Sequence, residues 1–415
     1  VKVEQVSHAF QFGANIFNFG QLGSAEANAR YRAAFETVFN AATVPFYWKE
    51  FEPQRGMERF APSSEADKES FWNAFDFAKA DPYVEVAYRR PCPDPIVDFC
   101  EKNGLSVHGH ALVYMAYIPV WVDDPKWTQD EIAALVKTRI QSIAAHYGSR
   151  IAQWDVVNEA TGRTCMPDAP NDDDPWYKYY ERIKCALPKD MTFKSFDWAA
   201  KAFPPEVGLS INDAWPTNQC YGAFAKSLID RGARIDIVGL QKHIFDSFQL
   251  LQAYRGELDV LPSGTVWAPE TQLKQLQEID RCGKPIHISE ITLPSPRGIE
   301  NLSDAEADKI QAAMLERCYR LWFSWPSVYR ITYWNLVDGM GAKKERMASG
   351  LFNRDMTEKA AWKALRRLIK DEWTTHLTVR ADADGRVAFL GFKGRYRLSW
   401  TGADGKSVSK LVELK

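Results

Sequence analysis

Two strand-like stretches of the chain finish in a carboxylate: Trp154-Asp155-Val156-Val157-Asn158-Glu159 and His287-Ile288-Ser289-Glu290. Each reads as a β-strand that finishes in an acid. Two carboxyl groups at the ends of separate strands, facing one cleft, can divide acid and nucleophile work between them. The protonated one can give its proton to a leaving oxygen, while the ionised one attacks the carbon that the oxygen leaves. Burial raises the pKa of the donor, and hydrogen-bond donors around the second group keep it charged. These are the requirements for breaking a glycosidic bond. A single strand-end glutamate is equally well explained as a solvated residue at a rim, so the pair and its neighbours carry the reading.

Both acids must be delivered to the same end of one sheet. β-rich runs recur at Phe10–Ile16, Ala42–Trp48, Leu105–Tyr114, Ile151–Ala160, Val207–Asp213, Ile235–Ile244, Pro285–Ile291 and Val328–Val337. Amphipathic stretches lie between them. In Thr128–His146, Ile132, Leu135, Val136, Ile140 and Ile143 recur at helical spacing. Asp304–Trp322 is opened by the N-cap signal Asn301-Leu302-Ser303-Asp304. Alternating strand and helix predicts a parallel α/β sheet. Eight such units in about 340 residues predict a closed (β/α)8 TIM barrel, whose chemistry belongs at the C-terminal ends of the strands. The competing open sheet usually announces a nucleotide with a Gly-rich turn after its first strand, and this chain has none there.

The pattern changes after Leu365-Arg366-Arg367. Leu377–Val379, Val387–Phe389, Tyr396–Trp400 and Val408–Val412 alternate like strands, with Asp384-Gly385 and Asp404-Gly405 as turns. Residues 1–372 are therefore expected to form the barrel, and residues 373–415 a small C-terminal antiparallel β appendage. A piece of that size seldom folds alone, so it should pack on the barrel or complete a β-domain that begins before Val1.

Composition narrows the class. The 415 residues are 46% hydrophobic and 26% charged, with a net charge of -2, which gives no reason to expect nucleic acid or an anionic membrane as partner. No apolar run reaches the ~18 residues of a membrane span. The 15 Trp, 16 Tyr and 23 Phe mostly describe a large core, yet so many Trp also suit a cleft that packs the C–H faces of sugar rings. Seven cysteines show no ligand spacing for zinc, and no metal or cofactor is expected. Cys165 and Cys185 bracket a polar loop that a disulfide could close, but two reduced cysteines are the favoured reading.

The two acid-ending segments resemble the acid/base and nucleophile strands of glycoside hydrolase family 10, the xylanase family. Four more segments resemble that family's motifs in the same order. They are Gly109-His110-Ala111-Leu112-Val113, Asn212-Asp213, Gly239-Leu240-Gln241-Lys242-His243 and Trp334-Asn335-Leu336-Val337-Asp338. The resemblance implies a retaining β-glycoside hydrolase with Glu159 as acid/base and Glu290 as nucleophile, acting on xylan or xylo-oligosaccharides. It implies that Asn158 bonds the sugar 2-OH, that His243 and Gln241 hold Glu290, and that Asp155 and Asn212 support the acid/base network. His110 would contact the glycone sugar and Trp334 would floor its ring. A monomer outside the cytoplasm, extracellular or periplasmic, with a poly- or oligosaccharide as its only partner, completes the expectation.

The chain departs from the family on the glycone side. The family's second strand ends Glu-Asn-x-Met-Lys-Trp, whereas this chain reads Thr43-Val44-Pro45-Phe46-Tyr47-Trp48. Tyr47 stands in the Lys place, and Tyr47 and Trp48 are expected to face substrate. Tyr114-Met115 replaces the usual Trp-His and Tyr117 the usual Gln, while Gly339-Met340-Gly341 follows Asp338 where a Trp is usual. A hydroxyl-binding site that loses its donors changes what it discriminates, so a decorated xylan or another β-linked glycan is an alternative substrate. Two inserts bear on the site. Arg89-Arg90 could meet a uronic acid or simply sit at the surface, and residues 161–191, with Trp176, Tyr177, Tyr179 and Tyr180, should overhang the cleft. Two rivals remain. His108 and His110, with His243 and Asp338, could form a metal site, and the same fold could serve as a non-catalytic sugar binder.

Overall fold

The computed structural model describes residues 1–75, 90–124, 126–161, 190–213, 220–257, 268–341 and 348–415. A first strand, β1 (Lys2–His8), belongs to a sheet of its own. The barrel begins with β2 (Gln11–Asn15) and β3 (Ala41–Pro45), followed by β4 (Ser106–His110) and its short continuation β5 (Val113–Tyr114). It goes on through β6 (Gln153–Asn158), β7 (Gly208–Asp213), β8 (Ile237–His243), β9 (Ile286–Thr292) and β10 (Val328–Tyr333). Every pairing is parallel, and β10 returns to β2. One stave is built in two pieces: β4 meets β6 at His108↔Gln153 and Gly109↔Trp154, and β5 meets it at Val113↔Val157 and Tyr114↔Asn158. The expected (β/α)8 barrel is therefore present, with strand positions matching the periodicity.

Alternation along each strand explains the burial. β6 and β9 are buried at every position. Trp154 points outward, its ring 4.6 Å from that of Phe46 and 5.5 Å from that of Phe203. Gly109 is required beside it, because a Cβ there would lie 2.3 Å from the Trp154 ring. The inward residues are polar and bonded across the lumen. Gln153 Nε2 reaches Ser210 Oγ at 3.2 Å and His287 Nδ1 at 3.3 Å, and His287 Nε2 lies 2.7 Å from Thr332 Oγ1.

The helices follow their sequence signals. Gln129–Tyr147 starts at a capping box of Thr128 and Glu131 and buries Ile132, Val136, Ile140 and Ile143. Asp304–Phe323 starts at a capping box of Ser303 and Glu306. No described helix is long and apolar enough to cross a membrane.

The appended sheet differs from expectation. Its order is β11 (His376–Thr378), β1, β12 (Gly394–Thr401), β13 (Ser407–Leu414), all antiparallel. Residues 2–8, expected in the barrel unit, take an inner place, and Val387–Phe389 forms no strand. β1 offers β12 a long partner whose Val3 is fully buried, whereas Phe389 only packs its ring 5.2 Å from Tyr396. Local alternation cannot distinguish these two cases, since a ladder needs a partner.

The sheet sits on the barrel end where strands begin. Trp373 stacks between Phe12 (5.6 Å, 13° between ring planes) and Phe323 (4.2 Å, 24°). His8 fills the same seam against Phe10, Phe12 and Phe392, and burial pushes its pKa down to about 4. Trp373 should therefore be the anchor of the appendage. Trp373→Ala is expected to cost about 3–5 kcal/mol, measured by chemical denaturation. Leu390→Ala, at a side chain that is 94% exposed, is expected to change stability by no more than about 0.5 kcal/mol.

Candidate active site

Glu159 stands immediately beyond β6 with φ +54. A left-handed conformation costs a non-glycine residue roughly 1–2 kcal/mol. It is held because the Glu159 N–H donates to the Asn212 carbonyl of β7 at 2.8 Å. The kink ends the strand at Asn158, short of the expected Ala160. Gln241 Nε2, from β8, donates to Glu159 Oε1 at 3.3 Å and to Asn158 Oδ1 at 3.2 Å. The Tyr114 phenol faces the same carboxyl group and works to lower its pKa.

Glu290, inside β9, is 5% exposed. Asn212 Nδ2 donates to its Oε1 at 2.8 Å and to Asn158 Oδ1 at 2.8 Å. His243 Nε2 lies 3.3 Å from Glu290 Oε2, while its Nδ1 lies 2.8 Å from Thr292 Oγ1. His110 Nε2 lies 3.9 Å from Glu290 Oε1. Asn212 is itself fixed: its Oδ1 accepts from Ser289 Oγ at 2.6 Å. A side chain at Gly239 would intrude on it, since a Cβ would come within 2.5 Å of that oxygen. One hydrogen-bonded chain thus runs from Glu159 through Gln241, Asn158 and Asn212 to Glu290.

Asp155 lies beneath this chain, fully buried. Its Oδ2 is 2.7 Å from His110 Nδ1 and 2.9 Å from His108 Nε2. Burial pushes the Asp155 pKa up, but the two imidazoles outweigh it and hold the carboxyl well below the usual range. For His110, burial works against the charged ring, and Asp155 and Glu290 together still raise its pKa. Asp155 therefore orients the His110 ring, whose second nitrogen faces Glu290.

Aromatic residues form one side of the site. Phe17, Tyr47 and Trp334 pack together with Tyr114 and Tyr117. The Trp334 ring lies 5.3 Å from His110 and 5.0 Å from Phe17. It follows β10, which stops at Tyr333 rather than Val337 because Asn335 turns left-handed (φ +66). Asn335 is tied to Asn15 by two hydrogen bonds, of 3.2 and 3.0 Å. Tyr47 stacks on Tyr117 (4.1 Å, 11°).

Most of the expected site residues meet here: Glu159, Glu290, His110, Asn158, Asn212, Gln241, His243, Trp334 and Tyr47. Trp48 does not. Its indole N–H donates to Glu52 at 2.8 Å, and its ring packs on Trp121 and Arg139 in the main core. A helical turn beginning at Trp48 separates it from its neighbour Tyr47. Gln241 holds Glu159 rather than Glu290. Arg90 is turned inward, its guanidinium 4.8 Å from the Phe17 ring and 5.5 Å from that of Tyr47. Arg89, Cys165, Cys185, Trp176, Tyr177, Tyr179 and Tyr180 lie outside the described residues. Sequence reasoning missed Phe17, Tyr114, Tyr117 and Asp213 as members of the site. The two tyrosines were visible as departures from the family pattern, and Asp213 sits within a matched motif. Phe17 carries no sequence signal.

The metal alternative is not supported by the geometry. His108 and His110 both face Asp155, while Asp338 accepts from Lys359 Nζ at 3.1 Å and the Gly350 N–H at 2.7 Å. Among the described residues no group of three or more His, Cys, Asp or Glu side chains is arranged to hold a metal ion.

The electrostatics set the two acids apart. Burial pushes the Glu159 pKa up to about 7, reinforced by the charges of Glu290 and Asp213 and opposed by the Tyr114 and Gln241 donors. Glu290 instead faces Asn212 and His243. The arrangement can therefore hold a proton on one carboxyl while offering the other as a base or nucleophile. Removing the Glu290 charge should lower the Glu159 pKa. In Glu290→Gln, the Glu159 carboxyl is expected to titrate about one unit or more below its wild-type midpoint, read by carboxyl-carbon NMR. An unchanged midpoint would show that the two acids do not sense each other.

The profile of Glycosyl hydrolase family 10 matches residues 4–368. The chain is 24% identical over 367 residues to endo-1,4-beta-xylanase B of Thermotoga neapolitana, covering 86% of this chain and 87% of that one. It is 34% identical over 157 residues to a beta-1,4-xylanase of Dictyoglomus thermophilum, covering 36% of this chain and 40% of that one. The fold resembles native xylanase 10B from Thermotoga maritima with a TM-score of 0.62 at 22% identity, covering 88% of this chain and 96% of that one. With nearly the whole barrel matched and the six motifs in order, the chain belongs to glycosyl hydrolase family 10.

Proposed function

We propose that the protein is a retaining endo-1,4-β-xylanase-type hydrolase in which Glu159 is the acid/base and Glu290 the nucleophile. The observation that carries this reading is the electrostatic inequality of two linked strand-end acids, one with its pKa near 7 and the other set among donors. In the first step the Glu290 carboxylate attacks the anomeric carbon as the C–O bond to the leaving sugar breaks, and Glu159 gives its proton to that oxygen. In the second, Glu159, now a carboxylate, takes a proton from water as the water displaces Glu290 from the same carbon. Two inversions retain the β configuration, and the enzyme returns to its starting protonation.

The surrounding residues fit assigned roles. Asn158 Oδ1 accepts from both Asn212 and Gln241, which leaves its Nδ2 to donate to a sugar 2-OH. Asn212 and His243 position Glu290, Gln241 positions Glu159, His110 faces the glycone sugar, and Trp334 with Tyr47 supplies its aromatic surface. Residues 1–372 are the catalytic unit, and 373–415, joined by β1, an accessory sheet. A single chain carries every proposed role, which favours a monomer, and a polymeric substrate calls for action outside the cytoplasm.

Xylan is the leading substrate because the matched relatives are named for it. The tyrosines at 47, 114 and 117 favour keeping other β-linked glycans under test. Wild type and Glu290→Gln would be incubated with xylan, glucuronoxylan, arabinoxylan, mixed-linkage glucan and mannan, with products sized and their anomeric form followed by proton NMR. Xylan oligomers released first as β anomers are expected, with a loss on the order of 10⁴-fold or more in the variant. Cleavage of a different glycan would keep the mechanism and move the substrate, while release as α anomers would overturn the nucleophile. Since Glu159 must enter protonated, kcat/KM should fall as pH rises through about 7, roughly tenfold per unit beyond it.

A further inference from the structure

The three departures at positions 47, 114 and 117 are one packed unit. Tyr47 lies just past β3, and Tyr114 and Tyr117 end and follow β5, so two separate loops supply them. Tyr117 stacks on Tyr47 at 4.1 Å and packs on Tyr114 at 5.2 Å (44°), while the Tyr47 and Tyr114 rings are 6.0 Å apart. Behind them the Arg90 guanidinium braces Tyr47 and Phe17. β5 is only two residues long, yet it pairs with β6 so that Tyr114 sits opposite Asn158, the residue before Glu159. That register turns the phenol toward the Glu159 carboxyl, and the two groups shift each other's pKa.

We propose that Tyr114 is a positioning residue for the acid/base: its phenol holds the Glu159 carboxyl toward the leaving oxygen, and Tyr117 and Tyr47 lock the phenol in that place. The proposal rests on reading Glu159 as the acid/base.

The physical argument concerns where the proton can sit. A carboxyl oxygen occupied by a fixed donor is a poor place for the carboxyl's own proton. Gln241 occupies Oε1 in this way, which leaves Oε2 for the proton, and the Tyr114 phenol supplies a second restraint on the same carboxyl. The phenol can keep this role through both half-reactions, because burial, followed by Glu159, Tyr117 and Tyr47, raises its pKa well above the ordinary range. The charged and titratable groups around Glu159 are Glu290 on β9, Asp213 on β7 and Tyr114 on β5. Those around Tyr114 are Glu159, Tyr117 and Tyr47, with the His110 ring 6.4 Å away. Two acids push the Glu159 pKa upward and two donors pull it down, so removing the phenol hydroxyl should raise it.

The test is Tyr114→Phe, which keeps the ring and its packing. Kinetics would be measured across pH on the glycan cleaved in the panel above, and on phenyl and 2,4-dinitrophenyl glycosides of its disaccharide unit. A dinitrophenolate leaves without a proton, so that substrate bypasses the acid. Glu159→Ala serves as the control and should lose far more on the glycan than on the dinitrophenyl glycoside. For Tyr114→Phe the expected result is a fall of about tenfold in kcat/KM on the glycan. The dinitrophenyl glycoside should change by no more than about twofold, and the basic limb should move up by about one pH unit. Equal losses on both substrates with an unmoved basic limb would overturn the proposal and leave Tyr114 a packing residue. Equal losses in Glu159→Ala itself would overturn the acid/base reading and the proposal with it.

Discussion

Two carboxylates held together at the poorly hydrated mouth of a barrel repel each other, and water cannot screen them as it would at a surface. The site resolves that repulsion by making the neighbourhoods unequal. Asp213 adds a second negative charge beside Glu159, while Asn212 and His243 turn donors toward Glu290. The amides between them serve both sides at once: Asn212 reaches Glu290 and Asn158, and Gln241 reaches Asn158 and Glu159. Displacing one amide would therefore disturb the setting of both acids.

That demand reaches down into the barrel. Asp155 must stay charged under His110 and His108 without contact with water, and Ser210 Oγ also donates to it. A buried charge of this kind is tolerable only when every neighbour is a partner. Two glycines in the matched motifs are explained by packing. Gly109 makes room for the outward Trp154 ring, and Gly239 for the Asn212 amide. The left-handed turns at Glu159 and Asn335 end strands early so that Glu159 and Trp334 can face the site.

Most of the barrel was legible because a strand buried on both faces leaves an apolar signature, and helices such as Gln129–Tyr147 and Asp304–Phe323 announce their starts with capping boxes. The pair of acids was legible because each stands in the C-terminal part of a strand or immediately beyond it. What escaped depends on distance in sequence. Trp48 is adjacent to Tyr47 and looked like a second site aromatic, but a helical turn carries it into the core beside Trp121. Tyr114 and Tyr117 appeared as losses of polar groups, since nothing local shows that Tyr47 comes from another loop to pack with them. The strand at residues 387–389 failed for the same reason that β1 was missed: alternation says a segment can pair, and only the fold says with what.

The placement of β1 also governs the order of assembly. It is made before the barrel, yet its longest partner, β12, begins 386 positions after its own last residue. At typical synthesis rates the ribosome needs roughly 20–80 s to reach that partner. The barrel staves can pair with near neighbours as they emerge, whereas Val3 and its row of backbone donors wait until the whole barrel has been made. β1 is thus a late zipper, and during synthesis it is an exposed edge that a second nascent chain could pair with.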